Sequence, residues 1–180
     1  NDSWTRDHGV ITILEVDQPK LLDFNFNGWG NKFEFALDNK INLALSDNLF
    51  KALPIVSKNF ILEGGSIESD GRGILLTTTQ CLLSTTRNSD TTQSQIEQFL
   101  LQELGLKKIL WLNHGALIGD DTDAHIDTLA RFCHVDTIAY VKCKDSNDVH
   151  YQTLKRMEDE LKEFKDLSGK KYKLVALPLP

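Results

Sequence analysis

The chain has 180 residues, 41% hydrophobic and 26% charged, with three tryptophans and nine phenylalanines, enough apolar mass for one substantial core and too much for a disordered chain. A formal charge of −6 and a pI near 5.3 argue against a nucleic-acid partner, which needs a basic surface, and suit a small cationic one. There is no run of about 18 apolar residues, so no membrane span is expected, and no signal peptide is visible, although the chain opens on Asn1 rather than Met.

Three cysteines, Cys81, Cys133 and Cys143, form no CxxC pair. An odd count without pairing motifs predicts neither a disulfide framework nor a cysteine zinc site, and points to a reducing cytoplasm. All three are expected to be buried structural thiols, Cys81 and Cys143 in strand-like settings and Cys133 on a helix.

In chain order, the β-branched run Val10–Val16 predicts a strand. Residues 21–35 predict a strand, a Gly-Trp-Gly turn and a second extended piece. Apolar spacing over Asp38–Leu49 predicts a helix. Phe60–Leu62, Ser66–Ser69 and Ile74–Thr77 predict short strands, the last two joined by an Asp-Gly-Arg-Gly hairpin turn. A helix is expected over Ser94–Leu104, closed by Gly105, and a strand over Lys108–Leu112. Ile126–Phe132 reads as helical and Thr137–Cys143 as a strand. Val149–Leu167 reads as a long helix striped by Leu154, Met157, Leu161 and Phe164. Lys173–Leu177 is a final strand, ended by Pro178 and Pro180. Helices alternate with groups of strands, so the fold class is α/β but not a doubly wound parallel sheet. No sequence repeat or domain boundary is visible.

Three constellations carry chemistry. In NDSWTRDHG, Asp2 and Asp7 flank Trp4 and Arg6. That is either a cation pocket with an aromatic wall or a surface Asp–Arg pair beside a core tryptophan. Glu63 ends an apolar strand and is followed by two glycines, which permit close backbone approach or positive φ; it is a site carboxylate or an ordinary strand-end charge. DDTDAHID at 120–127 sets His125 among Asp120, Asp121, Asp123 and Asp127. In an extended segment His125 and Asp127 share a face, able to hold a cation and move a proton. Zinc or a non-haem metal is an alternative there, with His114 in reach. His8, His134 and His150 are expected to be surface or satisfied core residues.

Together the motifs DSWTRDHG, FNGWGNK, EGGSIESDGRG, CLL followed by RN at 87–88, WLNHG and DDTDAHIDTLARF resemble the agmatine deiminases and bacterial-type peptidylarginine deiminases of the guanidine-modifying, or pentein, superfamily. The resemblance implies a five-bladed α/β propeller, of which residues 1–180 would form about three blades, one catalytic domain incomplete at both ends. It implies hydrolysis of agmatine to N-carbamoylputrescine and ammonia through a cysteine thiouronium intermediate, the cysteine lying beyond this chain. Peptidyl-arginine or another guanidine is the alternative substrate, and a non-catalytic guanidinium-binding fragment is the alternative of another class. By the same resemblance Asp7 and Asp127 bind the guanidinium, Trp4 packs along the substrate, His125 is the general acid/base, and Glu63 orients it and touches the guanidinium. No metal or cofactor is implied. The partner is a small cationic substrate, with neither nucleic acid nor membrane, and assembly with copies of itself is left open. Ala124 stands where the family has glycine before the histidine, a change that costs little at negative φ.

Overall fold

The computed structural model describes residues 2–51 and 53–179. Two compact units divide the chain, one holding the residues up to Gly64 together with Thr85–Asp90, the other Gly65–Ser84 and Thr91 onward.

In the first unit, α1 (Thr5–His8) leads into β1 (Ile11–Glu15) and β2 (Gln18–Asn25). The GWGN loop α2 (Gly28–Asn31), a 3-10 turn at Asp38–Lys40 and α3 (Ile41–Ser46) then carry the chain to β3 (Ile55–Ile61). β2 is central, antiparallel to β1 and parallel to β3. Its buried stretch, Leu21, Leu22, Asp23 and Phe24, suits the middle position, where a strand is covered on both faces. The second extended piece expected after Gly-Trp-Gly does not form. Phe33 and Phe35 turn their rings edge-on to Trp29 and Phe26 instead, so the alternation there reports aromatic packing on a loop.

The second unit repeats that topology twice. β4 (Ile67–Ser69) and β5 (Ile74–Thr78) form the expected hairpin. α4 (Thr79–Leu82) and α5 (Gln93–Glu103) cross to β6 (Lys108–Leu112), parallel to β5. β7 (Ala130–His134) and β8 (Thr137–Lys142) are antiparallel, and α6 (Tyr151–Leu161) crosses to β9 (Lys173–Pro178), parallel to β8. The core of this unit includes Leu76, Leu112, Ile126, Ile138 and Met157, all fully buried.

Three expectations fail here. Ile126–Phe132 is not a helix. A 3-10 turn at Ile126–Thr128 gives way to β7, and its apolar spacing arises because Leu129 and Ala130 enter the core at the junction. α6 stops at Leu161 instead of Leu167. Beyond it, the Asp166 carboxylate accepts from the backbone N–H groups of Ser168 and Lys170, and this turn competes with the helix. Cys81 lies on a helix, while Cys133 lies exposed on strand β7 at a register shift, so it is not a buried thiol. Pro180 lies outside the described residues. Among the described residues no helix is long and apolar enough to cross a membrane.

Candidate active site

In the first unit Asp7 is buried on the single turn α1. Its Oδ2 accepts the indole N–H of Trp29 at 2.9 Å. Trp29 reaches it from a loop in which Gly28, Trp29, Gly30 and Asn31 all have positive φ, from 55° to 82°. Such a backbone costs about 1–2 kcal/mol for each residue that is not glycine. A Cβ on Gly28 would lie 2.2 Å from the Phe33 carbonyl oxygen, and one on Gly30 2.3 Å from Thr86 Oγ1, so both glycines are required by space as well as by φ. The Asn27 side chain ties the loop down, accepting from Gly30 N at 3.0 Å and donating to Thr86 O at 2.8 Å. Trp4 is 66% exposed, so it is not the core tryptophan that one of the two readings of NDSWTRDHG required.

Glu63 is no ordinary strand-end charge either. Its carboxylate and the Arg87 guanidinium are both completely buried, with Arg87 Nε 2.8 and 3.0 Å from the two carboxylate oxygens. Burial pushes the Glu63 carboxyl up from its ordinary range; Arg87 pulls against this, and the charge of Asp7 adds to the upward push. The neighbouring Asn88 behaves as a surrogate strand. Its side chain donates to Ile61 O at 2.8 Å and accepts from Ile61 N at 3.0 Å. A Cβ on Gly64 would sit 2.1 Å from the carbonyl oxygen of Arg6. Close approach, not positive φ, therefore accounts for that glycine, which sits against the backbone of Arg6.

In the second unit the acidic cluster is mostly scaffold. Asp120 accepts from the backbone N–H groups of Thr122 and Ala124, both at 2.8 Å, and from the Thr122 hydroxyl. Thr122 Oγ1 accepts from His125 N at 3.1 Å. Asp123 and Ala124 both have positive φ, 66° and 65°, so Ala124 is not in the inexpensive conformation expected for it. Thr78 Oγ1 donates to Ala124 O at 2.8 Å and accepts from Cys81 N at 3.3 Å. The bonds within residues 120–125, with that from Thr78 to Ala124 O, shape the backbone that carries the buried His125. The segment is not extended: His125 caps a 3-10 turn and the half-buried Asp127 is inside it, so the argument from alternating strand faces does not apply. A ring nitrogen of His125 and the thiol of Cys81 lie within 4.8 Å, donors that a soft divalent ion accepts.

The other histidines are occupied differently. His114 Nδ1 lies 2.8 Å from Glu160, which also accepts from Asn113 N and His114 N and so ties WLNHG to α6. His134 and His150 pair with Asp136 and Asp148. His8 is buried against Phe26, with no hydrogen-bond partner for its ring nitrogens among the described residues; it is not a satisfied core histidine.

Sequence and structure comparison settle which family builds its chain this way. The profile of the Porphyromonas-type peptidyl-arginine deiminases matches residues 1–180. The chain belongs to this family. A relative from Legionella pneumophila (strain Paris), provisionally named an agmatine deiminase, is 36% identical over 184 residues. That match covers 100% of this chain and 52% of the relative. An agmatine deiminase of C. jejuni, solved as a cysteine-to-serine variant with substrate bound, is 48% identical with a TM-score of 0.93 over 100% of this chain and 52% of that one. The agmatine deiminase of Enterococcus faecalis is 30% identical with a TM-score of 0.91, over 100% of this chain and 50% of that one. The chain thus spans about half the length of the curated relatives it matches. Within this deiminase family sequence, the supporting residues Trp29, Arg87, Asn88 and Thr78 escape a motif reading, and Asp120, singled out as a site carboxylate, is scaffold. Trp29 and the Arg87–Asn88 pair stand inside quoted motifs, but only the fold reveals what they hold.

Proposed function

We propose that the full-length protein hydrolyses agmatine to N-carbamoylputrescine and ammonia, a step toward putrescine. The observation that carries this reading is the family match over all 180 residues, joined to buried Asp7, Glu63 and His125, each held by its own hydrogen-bonding frame. The substrate-bound C. jejuni relative with its cysteine changed to serine supports a cysteine nucleophile, here in the part of the protein beyond this chain.

The carboxylates of Asp7 and Asp127 hold the guanidinium, with Trp4 along the substrate, and keep its carbon electrophilic. A cysteine thiolate adds to that carbon. The C–N bond to one amino group breaks as His125 gives that nitrogen a proton, and ammonia leaves. His125 then takes a proton from water as its oxygen bonds to the carbon. The carbon–sulfur bond breaks as the added hydroxyl loses its remaining proton to solvent, releasing the ureido product and restoring the thiolate. Glu63, held by Arg87, orients His125 and touches the guanidinium. The three ββαβ sheets would be three of five blades in one catalytic domain, working in the cytoplasm without metal or organic cofactor.

The test is product analysis of the full-length protein with agmatine and, separately, a peptidyl-arginine. Agmatine is expected to yield ammonia and N-carbamoylputrescine. Asp7→Asn and Asp127→Asn should abolish turnover in folded protein, since a charge-assisted bond is worth about 1.5–3 kcal/mol and its loss also misplaces the reacting carbon. Citrulline from the peptide with no product from agmatine would transfer the activity to the alternative substrate. Wild-type kinetics in either variant would remove the assigned roles.

A further inference from the structure

We infer that Trp29 is a positioning residue for the reaction: its indole N–H sets the plane and direction of the Asp7 carboxylate that meets the guanidinium. The inference rests on the role proposed above for Asp7. Three observations carry it. The indole Nε1 lies 2.9 Å from Asp7 Oδ2, and both residues are buried. The backbone delivering the indole is the longest run of positive φ in the chain, four residues from Gly28 to Asn31, and strain of this kind persists only where its surroundings enforce it. Those surroundings are present: Asn27 bonded to Thr86 O, Thr86 Oγ1 where a Gly30 Cβ would stand, and Phe26 and Phe33 edge-on to the indole at 5.0 and 5.6 Å.

Filling a core does not require this arrangement. A phenylalanine or leucine on relaxed backbone buries comparable apolar surface. What tryptophan adds is one N–H, and a buried N–H needs an acceptor. The acceptor is a carboxylate, so the bond is charge-assisted and directional. The anchor is also shared, because the Thr86 that braces the loop immediately precedes Arg87, which holds Glu63. Two proposed site carboxylates are thus aimed from one short segment, residues 85–90.

The experiment compares full-length wild type, Trp29→Phe, and a sulfur isostere of tryptophan at position 29 (benzothienylalanine, which keeps the shape and lacks the N–H). Steady-state kinetics with agmatine and thermal midpoints are measured for each. The isostere is expected to keep its midpoint and lose at least tenfold in kcat/KM. An isostere with wild-type kcat/KM overturns the inference while leaving the proposed activity standing. Should Trp29→Phe fail to fold, the isostere alone decides. Wild type inactive on both agmatine and peptidyl-arginine overturns the proposed function, and the inference falls with it; that result is distinct because no variant is involved.

Discussion

Ala124 carries the family's glycine position at φ 65° with 1% of its surface exposed. A left-handed alanine costs about 1–2 kcal/mol. Against this, its buried methyl contributes about 0.8 kcal/mol, and alanine loses about 0.4–1 kcal/mol less chain entropy on folding than glycine. The terms nearly cancel. Ala124→Gly should therefore stay within about 1 kcal/mol of wild type in denaturant unfolding, while Ala124→Val, β-branched in a region such residues avoid, should lose more than about 2 kcal/mol. A large gain from glycine would show that the packing term is overstated. Arg87 gives a sharper case. Arg87→Met leaves the Glu63 charge without its partner in a fully buried place and should cost about 3–5 kcal/mol. The pair Glu63→Gln/Arg87→Met should cost less than Arg87→Met alone; a pair that costs more would show that the ion pair is not the source of the loss. At this scale the reactive residue types in Asp7, Glu63 and His125 were legible in the sequence. Their partners were not, because Trp29 is 22 residues from Asp7 and Arg87 is 24 from Glu63, and local patterning does not report such distances.

Elements were legible where one physical signal dominated. The capping box of Thr92 and Gln95 and Gly105 at φ 65° bound α5 within a residue of expectation. Where two signals compete, the sequence misleads. Ile126, Leu129 and Ala130 have helical spacing, but Thr128 Oγ1 returns to His125 O at 2.8 Å and closes the turn after one round. Residues 163–171 are similar, since Asp166 builds a turn where apolar Phe164 suggests more helix. Just after that turn, before β9, Tyr172 is buried beside Phe132, and its hydroxyl has no hydrogen-bond partner among the described residues. Burial, with the charges of Asp70 and Asp166, raises this phenol to about 12 from its ordinary value of 10.0. Because the folded value is the higher one, the neutral phenol's contribution is complete below pH 10 and is lost as pH rises toward 12. Tyr172→Phe should therefore match or exceed wild type in urea midpoint at pH 7, and its advantage should widen above pH 10. An unfolding free energy more than about 1 kcal/mol below wild type at pH 7 would reveal a hydroxyl bond.

Across the whole molecule, one pattern escaped the sequence. All three sheets have an antiparallel hairpin followed by a parallel strand, with helix in the crossover. The repeat is topological. β2 is GlnProLysLeuLeuAspPheAsn, β5 IleLeuLeuThrThr and β8 ThrIleAlaTyrValLys, with no more than a Leu-Leu pair common to two of them, so inspection for repeated residues passes over it. The reaction read for the full-length protein uses a thiol and an imidazole, with no metal. EDTA should leave agmatine turnover unchanged in the full-length protein. Activity lost to chelation and restored by zinc would make the His125 and Cys81 pair a metal site instead.

The crossing of the chain between units has a consequence for biosynthesis. The three strands of the first sheet are complete in sequence once Ile61 has left the ribosome, yet the cation that neutralises Glu63 arrives only with Arg87, 24 residues later than its partner. At roughly 5–20 residues per second, that delay is on the order of one to five seconds. During it the nascent sheet has to keep the carboxylate in water or protonated, so its tight form waits for the segment 85–90. Ribosome-stalled chains long enough to expose residue 64 but not residue 85 should yield to protease in that region, and chains long enough to expose residue 90 should resist. Equal resistance at both lengths would mean that the first sheet closes without its guanidinium.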